Sequence, residues 1–91
     1  MESQFTIASE GMKTADIASL SNDQMLVLYG LFKQSTVGDN TTSKPGMFSL
    51  KAKAKWGAWT KVKGTEKEAA MTQYIAEAKK YLPAAILSQL N

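Results

Sequence analysis

SNDQMLVLYGLFKQSTVGD, residues 21–39, is the stretch on which the reading of the fold turns. Ser21 can accept a hydrogen bond from the turn above it, and Gln24 can reach back to the Ser21 amide, the reciprocal pair that opens many helices. Leu20 and Met25 flank this start as a hydrophobic staple. Leu28, Tyr29, Leu31 and Phe32 then continue at helical spacing to about Val37. Gly38 can take the left-handed conformation that ends a helix. This is one amphipathic helix with both of its ends written into the chain.

Outward from it, the same period recurs. Phe5, Ala8 and Met12 share a stripe, which predicts a first helix over about Ser3 to Ala15, with Lys13 placed where a cation suits the helix dipole. Residues 14–20 read as a connection. From Asp39 to Met47 the segment DNTTSKPGM is a loop with a Pro45-Gly46 turn dipeptide. Ser49 can cap a third helix over Leu50 to Lys63, with Ala52, Trp56, Trp59 and Val62 on its apolar face and Gly57 a weak point inside it. Thr65 and Glu68 read as a second capping box, opening a helix from Glu66 to about Leu82. Its buried face would hold Ala70, Met71, Tyr74, Ile75, Ala78 and Leu82. Pro83 should stop or kink it, and the tail AAILSQLN can form one more helical turn if something apolar covers Ile86, Leu87 and Leu90. No segment reads as a strand. The expectation is a single all-α domain over residues 1–91, a four-helix bundle whose long second loop argues against simple up-down-up-down order.

Composition narrows the chemistry. The chain has no cysteine and no histidine, which removes disulfides, thiolate and imidazole metal sites, and Ser-His or Cys-His nucleophiles. An enzyme would need a serine-lysine or carboxylate mechanism, and no spacing singles one out. The start MESQFTIASEG carries Glu2 and Glu10 and lacks the apolar run of a signal peptide, so a soluble, cytoplasmic protein is expected. Net charge is +3, and all the cations are lysines. Between Asp39 and Glu66 there is no acid, while Lys44, Lys51, Lys53, Lys55, Lys61 and Lys63 fall in that window. This run reads either as a solvated face or as a site for phosphate. A nucleic acid is one anionic partner it could fit, although no arginine is present to read guanine. A protein-interaction module is another reading.

Several residues could bear a ligand. Tyr29 and Lys33 are four apart and share a helix face, with Phe32 beside them. Lys51 and Lys55 are likewise four apart, and Lys55 precedes Trp56, so the basic face borders the tryptophan face. Trp56, Trp59 and Phe5 read as core. Tyr29 and Tyr74 are either core residues with a wet hydroxyl or ligand residues. Spacing alone goes no further than a helical domain with a basic side.

The ordered blocks go further. LYGLFKQSTVGD (28–39), KPGM (44–47) and KAKWGAW (53–59), then Lys63-Gly64, EAAM (68–71) and Tyr74-Ile75, closely resemble the acyl-CoA-binding protein family. With Phe5, Ala8 and Lys13 the resemblance spans about residues 3–80. It implies a four-helix bundle in up-down-down-up order and one long-chain acyl-CoA bound in a surface bowl. Phe5, Ala8 and Ser9 would line the groove, and Lys13 would approach the head group. Tyr29, Lys33 and Lys55 would surround the 3′-phosphate and adenine, Tyr74 would close the site, and Met25, Phe32 and Lys51 complete the implied set. Phe32 stands where many members have tyrosine, keeping the aromatic surface and lacking a hydroxyl. Ser35, Ser49, Ala52 and Gly57 also depart from common family residues, and the tail after Leu82 lacks the usual lysines. The implied role is an intracellular carrier and pool former for medium- to long-chain fatty acyl-CoA esters, without catalysis, cofactor, metal or nucleic acid. It would be a monomer that touches acyl-CoA-using enzymes and membranes in passing.

Overall fold

The computed structural model describes residues 2–15 and 20–90. Among them are α1 (Glu2–Thr14), α2 (Asn22–Thr36), α3 (Leu50–Lys61), α4 (Lys67–Ala78) and a short α5 (Ala84–Leu87), with no strand. Most of the connection expected over residues 14–20 lies outside the described residues.

The α2 start forms as its sequence predicts. The Gln24 amide donates to Ser21 Oγ at 3.1 Å, and the Ser21 amide donates to Gln24 Oε1 at 2.8 Å. At the other end the amides of Val37 and Gly38 both donate to the Lys33 carbonyl, and Gly38 has φ 101°, where a side chain would be strained.

The other starts differ. Ser49 stands at the N-cap of α3 but makes no side-chain capping bond, with backbone angles of −102° and 68°. The Thr65–Glu68 box does not form, because the N-cap falls one residue later on Glu66. Glu68 is then too near the start to reach back, and the Thr65 amide it would have accepted from donates to the Val62 carbonyl at 3.1 Å; the Thr65 carbonyl separately accepts from Gln34 Nε2 at 2.6 Å. α4 also ends at Ala78 rather than near Leu82. The amides of Lys80 and Tyr81 bond to Glu77 and Ala78 in tighter turns, and Pro83 disfavours helical backbone at the residue before it.

Helix directions follow from which ends meet. The starts of α2 and α3 adjoin at Asn22 and Leu50, and their ends adjoin where Trp59 Nε1 donates to the Gly38 carbonyl at 2.7 Å. These helices are therefore parallel, and residues 37–49 span the length between them. α1 and α4 are parallel too: Phe5 meets Tyr74, and Gly11 lies against Leu82 just past α4. Gln34, late in α2, bonds at the entrance to α4, so that pair is antiparallel. The order is up-down-down-up.

Phe5, Ala8 and Met12 of α1, Leu28 and Leu31 of α2, and Met71, Tyr74, Ala78 and Leu82 form the core. Ile86 and Leu90 of the tail pack on it, and Gly11 is buried because Leu82 and Ile86 occupy the space its side chain would fill. Leu87 stays 36% exposed. The α3 stripe is only partly buried: Trp59 is 7% exposed, Trp56 and Val62 are half-buried, and Ala52 faces solvent. Both indoles instead anchor the long loop, Trp56 Nε1 donating to the Thr42 carbonyl and Trp59 Nε1 to that of Gly38. Asn40 adds bonds to the Trp56 carbonyl and Thr60 Oγ1.

Gly30 decides how closely α2 and α3 approach. A Cβ there would lie 2.4 Å from the Ala58 carbonyl oxygen. The bare backbone lets the helices cross at that point and sets the width of the seam beyond it.

Candidate functional site

Toward their starts, α2 and α3 enclose a groove of about 440 Å³. Asn22, Met25, Leu26 and Tyr29 form the α2 wall. Leu50, Lys51, Ala54 and Lys55 form the α3 wall. Each wall is a helical stripe, and Ala54 is small enough to leave space beneath. A second hollow of about 230 Å³ adjoins it through Met25 and Tyr29, and takes in Met12, Leu20, Leu28, Phe32 and Tyr74. Together they make an apolar channel with a basic rim.

The aromatic floor is a three-ring cluster joining three helices. Phe5 meets Tyr74 edge-on at 5.1 Å and stacks on Phe32 at 5.8 Å, while Phe32 and Tyr74 lie 6.1 Å apart. Such pairs favour this geometry because the ring edge is positive and the face negative. Phe5 is 6% exposed and Ala8 fully buried, so both belong to the core, Phe5 backing the rings of Phe32 and Tyr74. Burial pushes the Tyr74 hydroxyl up to about 12, so it stays a proton donor at any physiological pH.

Lys55 Nζ stands 5.5 Å from the centre of the Tyr29 ring, joining a cation to an aromatic face across the groove. Among the described residues neither Lys51 nor Lys55 has a carboxylate within ion-pair distance. Lys33 is turned otherwise, its Nζ resting 4.9 Å over the Trp59 ring. Ser9 is half-buried and donates its hydroxyl to the Thr6 carbonyl, and Lys13 is exposed and paired with Glu10 at 3.3 Å. Met25, Tyr29, Phe32, Lys51, Lys55 and Tyr74 thus come together around the hollows, with Phe5 packed behind Phe32 and Tyr74. Phe5, Ala8, Ser9, Lys13 and Lys33 do not line them: the first two are taken up by the core, and the others are turned to partners of their own or to solvent.

Asn22, Leu26, Leu50 and Ala54 complete the groove and were not picked out by sequence reasoning. Their signal was spacing: Asn22, Leu26 and Tyr29 follow one α2 stripe, and Leu50 and Ala54 run beside Lys51 and Lys55. A larger hollow of about 700 Å³ continues from Leu26 and Ala54 toward Val62 and Gln73. Its charged lining residues are Asp23 and Lys61, of opposite sign, and it holds no tyrosine. The channel with two tyrosines and two lysines is better suited to an anionic ligand.

A lock outside the channel holds the helix ends. Gln34, 1% exposed, donates from Nε2 to Asp39 Oδ1 at 2.8 Å as well as to the Thr65 carbonyl. The Gly64 amide donates to the same carboxylate oxygen at 2.8 Å. These bonds, the Gly64 amide first, hold the Asp39 carboxyl below its ordinary range, with Lys63 adding to the effect.

An apolar channel with tyrosines in its lining and lysines at its edge is the arrangement of a helical module for an amphiphilic anion. The family model for acyl CoA binding protein matches residues 2–78. The chain is 55% identical over 76 residues to acyl-CoA-binding protein homolog 1 of Caenorhabditis elegans, covering 84% of this chain and 87% of that one. It is 48% identical over 85 residues to the acyl-CoA-binding protein of Gossypium hirsutum, covering 93% and 94%. The crystal structure of Oryza sativa acyl-CoA-binding protein 2 superposes with a TM-score of 0.83 at 42% identity, covering 97% of this chain and 91% of that one. The chain belongs to the acyl-CoA-binding protein family.

Proposed function

We propose that this protein binds long-chain fatty acyl-CoA in the α2–α3 channel as a non-catalytic, monomeric, cytoplasmic carrier. It shields the thioester and hands the ester to enzymes and membranes. Family membership supports the ligand, and the observation that carries the site is Lys55 across the groove from Tyr29, beside a channel lined by Met25, Leu26 and Ala54. CoA bears about four negative charges near neutral pH, because a phosphate monoester has a second pKa of about 6. A lysine about 4 Å from such a phosphate gains roughly 4 kcal/mol at an effective dielectric of 20, before desolvation is subtracted. Tyr29 offers a flat face to adenine and a hydroxyl to phosphate, and Tyr74 offers a second donor. Lys33, Lys13 and Ser9 serve the head group in this reading only by turning from their present partners.

The acyl tail supplies the larger lever. Each buried methylene contributes about 0.8 kcal/mol, or roughly a fourfold gain in affinity. Calorimetric titration with saturated acyl-CoA esters of increasing length should show affinity climbing steeply and then levelling as the channel fills. A flat series would overturn the reading. Mass spectrometry of the recovered ligand should find the thioester intact; release of free CoA would make the protein an enzyme.

A further inference from the structure

The apolar residues Met47, Phe48 and Leu50 are 70%, 95% and 74% exposed, at the turn that leads into α3. A phenylalanine so open to water gains nothing for the fold, and three such residues within one turn form a protruding apolar tip. Leu50 is also a wall of the groove, so the tip stands at its mouth. Lys44, Lys51 and Lys53 flank it along the chain, Lys51 beside Leu50 on the groove wall, within the stretch that holds no acid between Asp39 and Glu66. None of the three has a carboxylate within ion-pair distance among the described residues. An apolar anchor flanked by unpaired cations is the pair of signals that seats a protein on anionic lipid, since either alone holds weakly.

We infer that the Met47–Phe48–Leu50 tip, with Lys44, Lys51 and Lys53, is a docking surface for anionic lipid bilayers. It sets the mouth of the acyl groove against the membrane. The side chains of Met47 and Phe48 enter the interface while the lysines lie at the headgroups. Each lysine near an anionic surface contributes about fivefold to affinity, and burial of the phenyl ring about tenfold. The proposal rests on the acyl-CoA reading for its purpose and not for the surface itself.

The test is sedimentation of the full chain with vesicles of phosphatidylcholine, with and without phosphatidylserine. The protein should bind the anionic vesicles and much less the neutral ones, and added salt should release it. Phe48→Ser should weaken that binding about tenfold. A Lys44→Glu, Lys53→Glu double variant should weaken it further. Val37→Ser, 54% exposed at the far end of α2, should bind as the parent does. Circular dichroism should show all variants folded, and Phe48→Ser should keep its affinity for dodecanoyl-CoA, measured without lipid. Vesicle binding equal for the parent, Phe48→Ser and the charge variant would overturn the proposal, as would no vesicle binding at all, which would leave the tip to a protein partner. Either result with dodecanoyl-CoA still bound leaves the carrier reading standing. Loss of dodecanoyl-CoA binding in the parent removes that reading and not this one.

Discussion

Replacing Gly30 by alanine places a methyl group 2.4 Å from the Ala58 carbonyl oxygen, 2.9 Å from its carbon and 3.3 Å from the Trp59 nitrogen. These are backbone atoms, so no side chain can swing aside. α3 must retreat by about 1 Å, a gap that forfeits a quarter to a half of each dispersion contact across the seam. Overpacking of this kind costs about 1–3 kcal/mol, and a clash with backbone belongs at the upper end. Alanine returns about 1 kcal/mol through its helix propensity. The net loss is about 2 kcal/mol, which lowers the melting temperature of a domain this size by roughly 8–16 °C. Gly57 on the facing helix makes the matched control. A Cβ there meets nothing within 4 Å, so Gly57→Ala should gain about 0.5–1 kcal/mol. Urea unfolding followed by circular dichroism measures both. The widened seam also parts Lys55 from Tyr29, so Gly30→Ala should bind palmitoyl-CoA more weakly while Gly57→Ala does not. A Gly30→Ala chain as stable as the parent would refute the close crossing of α2 and α3.

Three further outcomes follow from the side chains. Phe32→Tyr places a hydroxyl at the rim of the hollow shared with Tyr74, and should raise acyl-CoA affinity by up to about fivefold, one net hydrogen bond, by calorimetry. Gln34→Glu sets a carboxylate against the Asp39 carboxylate and the Thr65 carbonyl in a buried position, and should cost about 3 kcal/mol or more at neutral pH, partly recovered when acid protonates it; denaturant unfolding at two pH values tests this. The folded-state pKa of Asp39 lies below its unfolded value, so its contribution is present above the ordinary carboxylate pKa and lost as pH falls through the folded one. Thermal scans from pH 5 downward should show the parent losing stability faster than Asp39→Asn, which keeps the acceptor oxygen and cannot titrate.

Most of the fold was legible because the helices carry their own periodicity, and α2 carries its own ends. The Ser21–Gln24 box and Gly38 act within a few residues, so sequence contains the whole interaction. Thr65–Glu68 misled because the Thr65 amide that the box needs is already used in the turn closing α3, where it donates to the Val62 carbonyl, and the helix starts one residue later. Trp56 read as core, yet its indole is used half-buried to tie down the loop at Thr42. In the site, aromatic and basic residues stand out by type, which brought Tyr29, Phe32, Lys55 and Tyr74 into view. Leu26 and Ala54 carry no polar or aromatic group to single them out, and only the parallel placement of α2 and α3 turns them into a channel wall. Lys33 had the right type and spacing, and its contact with Trp59 depends on a helix crossing that no local pattern records.

The central claim is that the acyl tail and the CoA head bind together in one channel. Its most direct measurement is calorimetric titration of the delipidated protein with palmitoyl-CoA, free CoA and palmitate, beside Lys55→Ala. The expected result is tight one-to-one binding of the ester, far weaker binding of either half, and an ester affinity lowered tenfold or more by Lys55→Ala, the loss of one charge-assisted contact. Equal affinity for palmitoyl-CoA and free CoA, or no effect of Lys55→Ala, would contradict it.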